Sequence, residues 1–153
     1  MHASRSGKRL NVPYYRQETD STCGLAVIRM YLGYWKFIVP TEKQLRDQEP
    51  GWKTGLTRSE LVKILRRQGL LVKQRRHGTI SDLTIFIDHG FPVAVDLRHP
   101  TQGGHFAIVD GYGKGEIYLK DPLDGKRRLA EASFLKLWKP FDTWLAVAKT
   151  PYP

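Results

Sequence analysis

A single cysteine, Cys23, stands among 153 residues. That scarcity excludes an internal disulfide and a zinc site built from several thiolates. The chain also lacks any apolar run long enough to cross a bilayer. Basic residues between Met1 and Arg9 are not followed by an apolar stretch, so the start does not read as a secretory signal. A cytoplasmic location is the expectation. Internal repeats and low-complexity tracts are absent, as are a His-Glu-x-x-His motif and a Gly-x-Ser-x-Gly elbow. Acidic side chains are in short supply. Fifteen Asp and Glu face 25 Lys and Arg, for a net charge of +10.

That imbalance favours acidic partners: nucleic acid, an anionic membrane face or an acidic peptide. The basic clusters are Arg66-Arg67, Lys73-Gln74-Arg75-Arg76 and Lys126-Arg127-Arg128. None has the interleaved aromatics of a single-strand platform, and no zinc-finger or RNP pattern is present. A solvated basic surface is the plainer reading, and specific nucleic-acid binding is not expected. The aspartates Asp96, Asp110, Asp124 and Asp142 are too scattered to argue for a metal site. Trp35, Trp52, Trp138 and Trp144 read as core or cleft-rim residues.

The length suits one domain, with residues 1–11 a flexible lead-in and 12–153 the domain itself. Asp20, Ser21 and Thr22 are N-cap types preceding the apolar run from Cys23, which predicts a helix that stops near Gly33. Thr41 with Gln44, and Thr57 with Glu60, form capping-box patterns that open two more helices. Gly69 ends the second of these, and Leu70-Leu71-Val72 suits a strand. Ser81 to His89 reads as a helix stopped by Gly90. From Phe91 onward the pattern turns to strands, at 91–97, 105–112, 116–120 and 143–149, with a short helix at 132–138. A helical first half and an antiparallel β second half argue for an α+β fold.

The chemistry gathers around Cys23. A helix start favours an anion through its unsatisfied N–H groups, and the thiolate is the reactive form of cysteine. Gly24 is expected to leave room for a substrate backbone. A hairpin turn centred on Gly113 would set His105 opposite Asp121, Ala107 opposite Leu119 and Val109 opposite Ile117. Opposed side chains have Cβ atoms about 4.5–5.5 Å apart, so a carboxylate would reach the imidazole. Gln17, just upstream, offers an amide donor for the oxyanion that acyl transfer develops. No metal or organic cofactor is implied.

The segments Gln17 to Ala26, His105 to Val109 and Tyr118 to Pro122 resemble the double-glycine leader peptidases. These papain-like cysteine peptidases form the bacteriocin-processing domain of bacterial ABC exporters. The resemblance spans roughly residues 11–149 and keeps the family's order of Gln, Cys, His and Asp. It implies a papain-like α+β fold and hydrolysis of a peptide after a Gly-Gly pair. Cys23 would be the nucleophile, His105 the base, Asp121 its orienting group and Gln17 the oxyanion donor. It also implies a leader-peptide substrate and association with an ABC exporter, here for a stand-alone member. Thr22 stands where family members often carry Asp, and Tyr34-Trp35-Lys36 where a Tyr-Tyr-Gly-like sequence often ends the first helix. Two alternatives share the same residues: a non-cleaving peptide-binding module, and an acyltransferase that passes the thioester to an amine. A basic nucleic-acid-binding domain rests on charge alone.

Overall fold

The apolar run from Cys23 is helix α1, Cys23–Tyr34. Leu25 to Ile28 and Met30 to Leu32 are all buried, with exposures of 1% or less. A helix apolar on every side belongs inside the molecule rather than on it. Fully buried Tyr31 donates its hydroxyl to Pro92 O at 2.8 Å, and Trp35 donates Nε1 to Ala148 O at 2.9 Å. These bonds tie the helix to the sheet, because buried polar groups need partners. The computed structural model describes residues 7–52 and 55–152.

Helices α2, Glu42–Asp47, and α3, Arg58–Arg67, open on the two expected capping boxes. Strand β2 follows at Leu71–Arg75 and helix α4 at Ile80–Asp88. Gly69 and Gly90, with φ of 103° and 85°, supply the left-handed turns that end α3 and α4. Then come β3, Val93–His99, β4, Gly103–Gly113, and β5, Glu116–Asp121. Strand β6, Gly125–Ala130, leads into helix α5, Glu131–Trp138. Strand β7, Leu145–Lys149, closes the sheet. The fold is α+β, with every strand pair antiparallel and a spatial order of β2-β7-β3-β4-β5-β6.

Two strands depart from expectation. Lys8–Arg9 form strand β1 and pair with Tyr112 and Gly111 of β4. Leu10, with 7% exposure, is already core. The part of the expected lead-in from Lys8 onward is therefore built into the sheet, while residues 1–6 lie outside the described residues. A Cβ on Gly111 would stand 2.6 Å from Lys8 O and 3.0 Å from Arg9 Cα, so glycine is what lets β1 cross there. The cluster Lys126-Arg127-Arg128 lies within β6, an edge strand that alternates half-buried and exposed positions. Basic residues on a sheet edge discourage further pairing.

The β4–β5 hairpin differs in register. Gly113 pairs with Glu116, so Lys114 and Gly115 form the turn, with φ of 52° and 76°. Two positive φ values make the tight reversal that matches strand twist. Val109 lies opposite Leu119 rather than Ile117, a shift of two residues from the expected pairing. Ala107 and His105 are shifted likewise, so His105 is not directly opposite Asp121. Between Val109 and Gly111 the ladder slips at Asp110, which bulges as one extra residue on β4. The Asp110 carboxylate is paired with Lys120 in a buried contact, and its carbonyl accepts Leu10 N–H at 2.7 Å.

Candidate active site

Cys23 is the first residue of α1 and is 9% exposed. Thr22, expected as a cap, makes no side-chain bond to the helix. Its hydroxyl is engaged with Thr19 instead, accepting Thr19 N–H at 3.0 Å and donating to Thr19 O at 3.2 Å. The N–H groups at the start of α1 are thus left without a side-chain acceptor. An anion at this point would meet them.

The loop ahead of Cys23 is anchored from below by Glu42 of α2, a residue buried to 1% exposure. Its Oε2 accepts Glu18 N–H at 3.1 Å. Burial raises the Glu42 carboxyl pKa, against the Glu18 N–H bond that favours its charge. The loop is tied on its other side to the end of β5. Gln17 N–H donates to Pro122 O at 2.9 Å, Tyr14 Oη to Asp121 O at 2.8 Å and Arg16 Nη1 to Leu123 O at 2.6 Å. Gln17 is 4% exposed, and its Nε2 donates to Thr19 O at 2.7 Å. That bond fixes which end of the amide carries the hydrogens, leaves the second Nε2 hydrogen uncommitted and leaves Oε1 buried without a partner.

His105 and Asp121 meet despite the shifted register. Nε2 of His105 lies 2.7 Å from Asp121 Oδ1, with both side chains exposed by 2% or less. Continuing the observed ladder sets Asp121 opposite Ala107, a diagonal neighbour of His105 on the same face. Diagonal pairs remain within reach of long side chains. Asp121 Oδ1 also accepts the N–H groups of Leu123 and Asp124 at 2.8 and 3.0 Å. The His105 backbone N–H donates to Asp96 Oδ1 at 3.1 Å. Asp96 Oδ2 in turn accepts Arg58 Nε at 3.0 Å.

Burial opposes charge on both members of the pair, and their partners prevail. The hydrogen bond His105 donates to Asp121, the proximity of the Cys23 sulfur and the charges on both lift the His105 pKa from 6.5 to about 9. His105, together with the N–H groups of Asp124 and Leu123, holds the Asp121 carboxyl below its usual range. His105 Nδ1 is buried without an ordinary hydrogen bond, and Cys23 is close enough to act on the ring. The set therefore joins a sulfur at a helix start, an imidazole held charged near neutrality and a carboxylate behind it. Such a group can hold a thiolate–imidazolium pair.

A groove of about 450 Å³ runs beside Cys23, lined among others by Asp20, Leu56, Asp96, Gln102 and Phe106. Gly24 does not open onto it as expected. A Cβ at Gly24 would come within 2.8 Å of Leu56 Cδ1, so the space above this glycine is filled by Leu56. We expect Gly24→Ala to push Leu56 into the groove and raise KM several-fold, roughly threefold to tenfold, with a smaller change in kcat. Steady-state kinetics on one peptide substrate checks this, and an unaltered KM would refute it.

Asp96 and Glu42 are the supports that sequence reasoning missed. Asp96 carried a signal, being a lone charge inside Val93-Ala94-Val95-Asp96-Leu97, where burial demands a partner. Glu42 carried none beyond its place in a helix start. The basic clusters are largely engaged. Arg66 donates to Val72 O, Arg67 pairs with Glu49, Arg75 with Asp82 and Arg76 with Asp142. Trp138 and Trp144 are core residues. Among the described residues, no group of three or more His, Cys, Asp or Glu is placed to hold a metal ion.

The model of the peptidase C39 family matches residues 11–151. Solved structures share the architecture. A double glycine motif protease from an AMS/PCAT transporter, solved with its leader peptide, is 24% identical with a TM-score of 0.73, covering 93% of this chain and 94% of that one. The peptidase domain of Streptococcus ComA, a bi-functional ABC transporter, is 17% identical with a TM-score of 0.78, covering 92% and 99%. A putative C39-like peptidase from Bacillus anthracis is 15% identical with a TM-score of 0.73, covering 95% and 100%. At these identities the likeness establishes the fold, the papain-like arrangement expected from the sequence. No curated protein matches the chain.

Proposed function

The chain belongs to the peptidase C39 family and is a cysteine peptidase, and from that premise we propose that Cys23, His105, Asp121 and Gln17 carry its chemistry. The observation that supports this most strongly is the division of labour on one ring. His105 commits Nε2 to Asp121 and keeps a buried Nδ1 without a partner, and Cys23 is near enough to raise the pKa of the ring. The Cys23 thiolate attacks the scissile carbonyl while His105, as imidazolium, protonates the departing amine. A thioester remains on Cys23. Neutral His105 then takes a proton from water, which attacks the thioester and frees the acid and the thiol. Asp121 holds the ring and favours its charged form. The oxyanion of each tetrahedral stage is met by the Cys23 N–H and the uncommitted hydrogen of Gln17 Nε2.

The substrate of this reading is a peptide with a double-glycine leader, cut after the second glycine. It rests on the family and on the likeness to a double glycine motif protease solved with a leader peptide. A net charge of +10 suits an acidic peptide. Work beside an ABC exporter in a bacterial cytoplasm belongs to the same proposal. Among the described residues, no helix is long and apolar enough to cross a membrane. The test is incubation of the full chain with a leader peptide carrying Gly-Gly and with its Ala-Ala counterpart, followed by mass spectrometry. A single cut after Gly-Gly, absent from the counterpart, is expected. Equal cutting of both would end the double-glycine assignment. Transfer of the acyl part to an added amine in preference to water would favour an acyltransferase.

A further inference from the structure

A second imidazole–carboxylate pair lies against the first. His99 ends β3, opposite Gly103 across a tight turn. Its Nε2 is 2.9 Å from Asp124 Oδ2, and its Nδ1 accepts Thr101 N–H at 3.2 Å. Because Nδ1 accepts from a backbone donor, the hydrogen sits on Nε2 and is given to Asp124. Both ring nitrogens are thereby fixed. The His99 ring centroid is 4.7 Å from that of His105, with the planes tilted by 48°. His99 is 9% exposed and Asp124 42%, against 1% and 2% for His105 and Asp121. The outer pair therefore covers the inner one.

The two pairs also share a frame. Asp121 and Asp124 sit in one turn, where Asp121 Oδ1 accepts Asp124 N–H at 3.0 Å. Arg127 Nη1 lies 3.7 Å from Asp121 Oδ2 and 3.8 Å from Asp124 Oδ2. A packed aromatic neighbour with both polar ends anchored leaves the adjacent ring little freedom to tilt. We propose that His99 is a positioning residue for His105: its ring, locked by Asp124 and the Thr101 N–H, sets the plane of the His105 imidazole and so presents Nδ1 to Cys23. This rests on the assignment of His105 as the partner of Cys23. His99 touches neither the sulfur nor the substrate in this role.

The test reads Cys23 alone. The rate of Cys23 alkylation by iodoacetamide, followed from pH 5 to 9, needs no substrate. A displaced groove wall would change access alike at every pH, whereas a lost imidazole contact alters the shape of the profile. We expect His99→Ala to slow alkylation near neutral pH about tenfold and to change the shape of its pH profile. His99→Phe keeps a ring in place and is expected within about threefold of wild type. His105→Gln separates the two levels of inference. Slow alkylation in His105→Gln with wild-type alkylation in His99→Ala overturns the positioning role and leaves the Cys23–His105 pairing standing. Wild-type alkylation in His105→Gln overturns the pairing, and the positioning role with it. Equal slowing by His99→Phe and His99→Ala rejects ring contact as the device. If His99→Ala does not fold, Asp124→Ala at the half-exposed rim carries the test. It is expected to slow alkylation about threefold, and an unchanged rate overturns the proposal.

Discussion

Cys23→Ala is expected to fold normally and to lose peptide cleavage by about 10⁴-fold or more, as does removal of the nucleophile from other covalent hydrolases. Alanine suits the first turn of a helix, and only a sulfur at the edge of a groove is removed. The thermal midpoint should therefore stay close to that of the wild type while turnover disappears. His105→Gln should lose a comparable factor, since no group remains to protonate the leaving amine. Glutamine is the fair replacement. His105→Ala would strand the buried Asp121 carboxylate, and the loss of folding would obscure the loss of chemistry. The measurement is cleavage by each purified variant under single-turnover conditions. Cleavage by pure Cys23→Ala at the wild-type rate would remove the sulfur from the mechanism.

The second large effect concerns stability and pH. The His105 pKa is raised from 6.5 to about 9 in the folded chain, so folding favours its charged form. The stability this confers is fully present below pH 6.5 and is lost as pH rises through about 9. A difference of that size is worth about 3 kcal/mol, a large share of the stability of a small domain. Asp121 acts in the opposite direction. Its folded pKa is depressed, so its contribution is present above the ordinary carboxylate range and is lost as pH falls through the folded value. Urea unfolding at intervals from pH 6 to 10 should show wild type weakening across this window. His105→Gln should be flatter by about 3 kcal/mol over the same range. Parallel curves for the two proteins would show that His105 is not held charged by the fold. Cys23 supplies part of the shift, so Cys23→Ala should fall between them.

Much of the helical half was legible because its signals are local. Thr41 with Gln44 and Thr57 with Glu60 cap α2 and α3 as written in the sequence, and the apolar run after Cys23 is α1. Strand β6 was not legible. Gly-Lys-Arg-Arg-Leu-Ala has no apolar alternation, because an edge strand with one half-buried face needs little of it. Strand β1 was missed for a related reason, since two residues paired to β4 carry no periodicity. Cys23, His105, Asp121 and Gln17 were named as candidates from the sequence, but the hairpin argument that joined His105 to Asp121 had the wrong turn. It survived because a shift of two residues returns each side chain to its own face. Gly24 misled because a glycine beside a nucleophile suggests open space, whereas Leu56 occupies it from a separate loop. Glu42 and Asp96 act through contacts that only the assembled chain creates.

The bulge at Asp110 has a consequence for the pair further along the same strand. Beyond the turn, Gly111 faces Tyr118, and an unbroken ladder would carry that parity onward to set Asp121 across from Ile108. An odd offset would then put imidazole and carboxylate on opposite sides of the sheet. The extra residue restores an even count, and the sixteen-position interval from His105 to Asp121 works only with it in place. A single insertion or deletion within these strands is thus excluded unless a second one cancels it. Because Leu10 and Lys120 hold the odd residue where it is, the alignment of His105 with Asp121 is set partly by the N-terminal strand at the far end of β4.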